Sequence, residues 1–209
     1  MGPRGFFLVF EGGDGVGKST QAGLVAAWLR SPEGGGRTVV ETREPGGTNL
    51  GRGIRELLQH GDGAVDPKAE ALLYAADRAH HVATVVRPAL GRGEVVVQDR
   101  YVDSSFAYQG VVRGLGDEIT QVSAWATGGL LPDLTVVLDA PASARRLVGE
   151  PDRLERETDA RADDLREAFI ARASADPARY AVVDATRSVE EVAAAVREAV
   201  GAALTGAGL

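Results

Sequence analysis

Residues 12–19 read Gly-Gly-Asp-Gly-Val-Gly-Lys-Ser, with Gly12, Gly17, Lys18 and Ser19 at the fixed positions of the pattern G-x-x-x-x-G-K-[ST]. The chemistry such a stretch performs is polyphosphate binding. Glycines let the backbone wrap a phosphate chain, so that several N–H groups and the start of the following helix converge on negative charge. Lys18 is placed to reach the β- and γ-phosphates, and the Ser19 hydroxyl to ligate magnesium. The candidate nucleotide-binding residues are therefore Gly12, Gly13, Asp14, Gly15, Val16, Gly17, Lys18, Ser19 and Thr20.

Two further places could carry chemistry. The candidate strand 37–42 ends in Thr42-Arg43-Glu44-Pro45-Gly46-Gly47-Thr48, where the Pro-Gly-Gly turn breaks the chain and leaves Arg43 at the edge of a site. The stretch 94–99 ends in Asp99-Arg100-Tyr101. An aspartate there, beside a phosphate loop, can hold a magnesium-bound water, and Arg100 can neutralise a phosphate. The Asp-Arg pair also occurs at 77–78 and 152–153, so its place at a strand end carries the argument. Residues 149–161 are mostly charged. They are open to two readings, a solvated face or a mobile lid that excludes water and delivers an arginine to the transferring phosphoryl group.

Positioning these residues requires alternating strands and helices. Strands are predicted at 6–11, 37–42, 94–99, 134–139 and 180–184, and helices near 18–30, 49–59, 67–91, 103–110, 115–127, 141–148, 159–174 and 188–203. Gly34–Gly36 and Gly61–Gly63 read as turns. Consecutive apolar residues suit parallel strands covered on both faces. The pattern predicts an α/β fold, a doubly wound five-stranded parallel sheet flanked by helices, in a single domain over 1–209. The phosphate loop then lies between strand and helix, and Arg43 and Asp99 at the carboxyl edge where such sheets bind ligands.

Composition narrows the function classes. With no cysteine there is no disulfide framework, thiol nucleophile or zinc-thiolate site. A net charge of -7 argues against wrapping a nucleic-acid backbone. No apolar run is long enough to span a bilayer. The first residues enter a strand with no room for a secretory signal, which points to the cytoplasm. Lys18 and Lys68 are the only lysines, and one of them lies in the phosphate loop.

Taken in order, the phosphate loop, Arg-Glu-Pro-Gly-Gly-Thr (43–48), Tyr-Ala-Ala-Asp-Arg (74–78), Asp-Arg-Tyr (99–101), Ser-Ser-Phe-Ala-Tyr-Gln-Gly (104–110) and Pro-Asp-Arg-Leu-Glu (151–155) resemble bacterial thymidylate kinases, over roughly residues 5–200. The resemblance implies the P-loop NTPase fold, transfer of the γ-phosphoryl group of ATP to dTMP with Mg2+, and a homodimer packed through helices in 67–91 and 103–127. It implies that Arg43, Arg55 and Arg100 grip the acceptor phosphate. Tyr74 stacks on the thymine ring, where the family usually has phenylalanine, and Arg78 and Gln109 hydrogen-bond the base edge. Ser105 lies near phosphate and base, Tyr108 packs under the deoxyribose, and Asp14 is the loop carboxylate near sugar and metal.

Gly15 follows Asp14 where some members of that family place a catalytic arginine, so the charge is expected from the lid: Arg153, helped by Arg156 and Arg161. The adjacent His80 and His81 are assigned no chemistry. A kinase for another nucleoside monophosphate is the alternative enzyme; residues Tyr74, Arg78, Tyr108 and Gln109 favour thymidine. A GTP-binding switch generally needs an Asn-Lys-x-Asp element, and the only asparagine, Asn49, precedes Leu50.

Overall fold

Five consecutive apolar residues, Phe6 to Phe10, closed by Glu11, make β1 (Phe6–Glu11) a strand buried along its whole length. In the computed structural model, which describes residues 4–61, 63–145, 156–157 and 159–209, β1 is the centre of a five-stranded sheet. Its neighbours are β3 (Val95–Asp99) and β4 (Leu134–Asp139), with β2 (Val39–Arg43) and β5 (Tyr180–Asp184) at the edges, in the order β2-β3-β1-β4-β5. All pairs are parallel, as expected. The registers Phe10↔Asp99 and Arg43↔Asp99 bring the carboxyl ends of β1, β2 and β3 level.

Alternate residues of β1 feed two cores. Phe6, Leu8 and Phe10 pack with Val25 and Leu29 of α1 (Lys18–Arg30), while Phe7 and Val9 face Val82, Val86 and Tyr101. Each such fully buried side chain is worth about 1.5–3 kcal/mol. A third cluster joins Tyr108 and Val137 to Leu165 and Phe169 of the helix Ala162–Ala175. No helix among the described residues is long and apolar enough to cross a membrane.

Among the described residues the further helices include α2 (Asn49–His60), α3 (Pro67–His81), α4 (Arg87–Gly91), α5 (Val102–Ser105), α6 (Glu118–Thr127), α7 (Ala162–Ala175) and α8 (Val189–Gly206). Several bounds differ from expectation. The strand expected at 37–42 starts at Val39, because the Arg37 amide donates to the Leu29 carbonyl at 2.8 Å rather than to a neighbouring strand. The helix expected over 67–91 is interrupted by a π-turn at Val82–Val86. A second π-turn, Phe106–Val112, extends α5 and carries Tyr108 and Gln109. Such turns insert one residue per turn, which apolar periodicity does not register. The helix expected from 115 begins at Glu118, since Gly114 and Gly116 take positive φ of 73° and 60°. Of the helix expected at 141–148, the described part is a 3-10 turn at Ala142–Ala144; residues 146–148 lie outside the described residues. The helix expected from 159 opens with a 3-10 turn, Asp159–Arg161.

Candidate active site

The loop from Gly12 to Gly17 crosses from β1 into α1, as its glycines require. Gly12 has φ +132°, and a Cβ there would lie 2.5 Å from the Leu138 carbonyl oxygen of β4. Gly17, at φ 94°, caps α1 without a side-chain bond, which leaves the helix's first N–H groups facing the loop. A cavity of about 460 Å³ opens over them, lined by Asp14, Gly15, Val16, Gly17, Lys18, Ser19 and Thr20. Gly12 and Gly13 lie behind the loop instead, toward Val137 and Phe169. Lys18 is only 7 % exposed and donates to the Gly13 carbonyl at 2.5 Å. Burial, and after it the Arg100 charge, bring its ammonium down to about 8, against the pull of Asp99, Asp14 and Glu11. A polyphosphate entering the cavity would supply the ion-pair partner that this buried cation lacks among the described residues.

The Ser19 hydroxyl donates to Asp99 Oδ2 at 2.5 Å, and Asp99 Oδ1 is buried with no hydrogen-bond partner among the described residues. This pair of hard oxygens fits Mg2+, which takes one or two protein ligands and completes its shell with water and phosphate. No cluster of three or more acidic, histidine or cysteine side chains forms a closed metal cage among the described residues.

Arg100 stands where this cavity meets a smaller one of about 110 Å³, and it lines both, as do Asp14, Glu44 and Arg55. Its backbone is held at φ 67°, in the left-handed region that a non-glycine residue rarely adopts. Its amide donates to the Phe10 carbonyl at 2.9 Å. The guanidinium donates to the Gly12 carbonyl (3.2 Å), Ser104 Oγ (3.0 Å) and Tyr108 Oη (3.4 Å), pairs with Asp14, and lies 5.3 Å over the Tyr108 ring. Tyr108 in turn donates to Asp14 Oδ2 at 2.5 Å. Burial pushes the Asp14 carboxyl up, but Arg100, Lys18 and the Tyr108 hydrogen bond together hold it below the ordinary carboxylate range. Burial is also the largest cause of the rise of the Tyr108 phenol well above its usual value, so it stays a donor.

The smaller cavity collects Tyr74, Arg78, Ser105, Tyr108 and Gln109. These come from α3, α5 and the second π-turn. Tyr74 packs on Ile54 and Leu58 of α2, so one face of its ring is core and the cavity meets the rest. Gln109 donates to Glu70 at 3.0 Å; Glu70 also takes Arg113, which reaches Glu157 at 2.5 Å. Arg43 is exposed at the rim of the larger cavity, and Arg55 donates to the Pro45 carbonyl at 3.3 Å.

Sequence reasoning gave no role to four contributors: Glu11, Ser104, Glu44 and Arg187. Glu11, a charge closing an apolar strand, is buried and accepts from the Tyr101 amide and the Ser104 hydroxyl; Arg187 lines the larger cavity. His81, assigned no chemistry, is buried against Glu44. Its spacing of three from Arg78 on one helix was the available signal. Asp77, beside Glu44, has its carboxyl pushed up to about 6 by burial and then by the Glu44 charge. Arg153, the expected lid arginine, lies outside the described residues, as do 149–155 and 158 of the segment 149–161. Of its two helpers, Arg156 is exposed, and Arg161 pairs with Asp164 at the start of α7.

A phosphate-loop cavity adjoining a pocket of aromatic and amide side chains, with a pinned arginine between them, is the layout of a phosphotransferase with two substrate sites. The family model for thymidylate kinase matches residues 10–196.

The chain belongs to the thymidylate kinase family.

A thymidylate kinase of Leifsonia xyli is 58% identical over 92% of this chain and 93% of its own length. One from Bifidobacterium longum is 55% identical over 92% of this chain and 96% of its own. The crystal structure of thymidylate kinase from Ehrlichia chaffeensis superposes with a TM-score of 0.79 at 30% identity, covering 95% of this chain and all of that one. The family match runs from the end of β1 through β5 and takes in the residues lining both cavities.

Proposed function

We propose that the protein transfers the γ-phosphoryl group of ATP to dTMP, giving dTDP and ADP, with the whole chain acting as one catalytic domain. The observation that carries this is Arg100: one guanidinium, held by four neighbours, borders both the phosphate-loop cavity and the aromatic cavity. An acceptor phosphate between the cavities meets Arg100 with Arg55 and Arg43, and its base lies toward Tyr74, Arg78 and Gln109. Tyr74 stacks on the ring, and the guanidinium and amide leave a mismatched base with unpaired buried groups. Ser105 borders base and phosphate. Tyr108, tied to Asp14, closes the space under the sugar and crowds a 2′-hydroxyl.

On the donor side the loop amides and Lys18 hold the ATP phosphates. Ser19, and Asp99 directly or through water, would hold Mg2+, which when bound neutralises charge on the β- and γ-phosphates. Arg153 is assigned the further positive charge, with Arg156 and Arg161 as helpers. Little covalent work is left for the protein, and positioning with charge neutralisation lowers the barrier. Leu72 on α3 and Trp125 on α6, 59% and 83% exposed, support a homodimer formed through those helices. We read the enzyme as cytoplasmic, supplying dTTP synthesis.

A coupled ADP-release assay with ATP, Mg2+ and dTMP, dUMP, dCMP, dGMP or UMP tests the reading. Strong preference for dTMP is expected. Preference for another acceptor overturns the pocket assignment and leaves a kinase of a different nucleoside monophosphate.

A further inference from the structure

In the wall of the smaller cavity, Glu44 and Arg78 are backed by the buried His81 and the half-buried Thr42. The side chains of Arg78 and Glu44 are 4% and 3% exposed, and His81 is sealed from solvent. One oxygen of Glu44 accepts from Arg78 Nε at 2.8 Å, and the other lies 2.8 Å from His81 Nδ1. His81 Nε2 lies 2.6 Å from the Thr42 hydroxyl. A carboxylate only accepts, so Nδ1 carries the proton, and in the neutral ring the Thr42 hydroxyl donates to Nε2. The Glu44 backbone is fixed as well, its amide donating to the Asp99 carbonyl at 3.0 Å. The carboxylate is therefore clamped from two sides before it meets Arg78.

Arg78 makes two other hydrogen bonds, from Nη2 to the Tyr101 carbonyl at 3.1 Å and from Nη1 to Ser123 Oγ at 3.5 Å, and its Cζ lies 5.7 Å from the centre of the Tyr101 ring. Both are longer than the bond to Glu44. Nε is also the atom next to the last rotatable bond, so its partner sets the angle of the guanidinium plane. That angle matters because a guanidinium offers N–H donors and no acceptor. Presented to position 4 of a pyrimidine, donors match a keto oxygen and oppose an amino group. A guanidinium free to rotate would discriminate less, since it could turn its donors onto neighbouring carbonyls.

We propose that Glu44, clamped by His81 and Thr42, is a positioning residue that fixes Arg78 for keto-over-amino selection of the acceptor base. The inference rests on the reading of Arg78 as the base-contacting residue.

The test is calorimetric binding of dTMP and of dCMP to the wild type, Glu44→Gln, His81→Gln and Arg78→Ala, with KM for ATP as a reference. Glu44→Gln is expected to weaken dTMP about tenfold, to leave dCMP unchanged or tighter, and to keep KM for ATP. Equal weakening of both acceptors, as a purely structural role gives, overturns the proposal. His81→Gln keeps the Glu44 charge while loosening the clamp, and decides the matter should Glu44→Gln fail to fold. It should lower the dTMP preference about threefold, and an unchanged preference overturns the clamp. Arg78→Ala separates the two layers. If it leaves the preference intact, the base-reading role falls and the proposal with it. If it collapses the preference while Glu44→Gln and His81→Gln do not, Arg78 reads the base unaided and only the proposal falls.

Discussion

Replacing Glu11 by glutamine should change how stability depends on pH, by an amount that follows from its surroundings. Glu11 closes β1 beneath the phosphate loop and is fully buried. It accepts from the Tyr101 amide at 2.7 Å, the Ser104 amide at 3.1 Å and the Ser104 hydroxyl at 2.6 Å; Ser104 Oγ in turn accepts from Arg100. Burial, and after it the Asp103 charge, raise the carboxyl from its ordinary 4.5 to about 7, more than the hydrogen bonds and Arg100 pull it down. Between those two values the unfolded chain has released the proton and the folded chain has kept it. Stability therefore falls as pH rises, by about 1.4 kcal/mol per pH unit. The loss reaches about 3 kcal/mol once the pH passes the folded-state value. In Glu11→Gln nothing titrates at this place. The lost acceptor toward Ser104 costs a further amount, but that offset does not depend on pH. Urea unfolding of both proteins at pH 5, 6, 7 and 8 isolates the effect as the variant's stability minus that of the wild type. This difference should rise by about 2–3 kcal/mol between pH 5 and 8, flattening as the pH passes 7. Two curves that stay parallel from pH 5 to 8 would refute the reasoning.

Arg100→Ala removes the partner of Asp14 and Tyr108 as well as a phosphate contact. Affinity for dTMP should fall about a hundredfold by calorimetry, and the thermal midpoint should drop by about 10 °C; unchanged dTMP affinity contradicts the role given to Arg100. Arg153→Ala should lower kcat by about a thousandfold while KM for dTMP stays within about twofold; equal loss of both, or no loss, sinks the lid assignment.

The order of strands and helices was legible because each apolar run is short and bounded by glycine, proline or charge, as at Phe6–Glu11 before the phosphate loop. What periodicity missed was the π-turn at Phe106–Val112, where one inserted residue sets both Tyr108 and Gln109 inward. The phosphate-loop pattern was legible because it is local, and it falls between β1 and α1 as the sequence requires. Arg43, Asp99 and Arg100 could be placed because strands end where their apolar run does. Glu11 and Glu44 were not, since a buried carboxylate looks in sequence like any surface acid; only the fold shows that one braces Ser104 and the other Arg78. His81 shows the same limit. Adjacency to His80 says only that the two face different ways on a helix, whereas the partners of His81 are Thr42 and Glu44, brought from a strand end more than thirty residues away in sequence.

The central claim, phosphoryl transfer between the two adjoining cavities, is tested most directly by following the transferred group. The protein is incubated with dTMP, Mg2+ and ATP labelled at the γ-phosphate, and the products are separated by anion exchange. The account predicts label in dTDP in step with ADP formed, and none in dTDP when dTMP is omitted. Label released as inorganic phosphate, or ADP formed at the same rate without an acceptor, would contradict it.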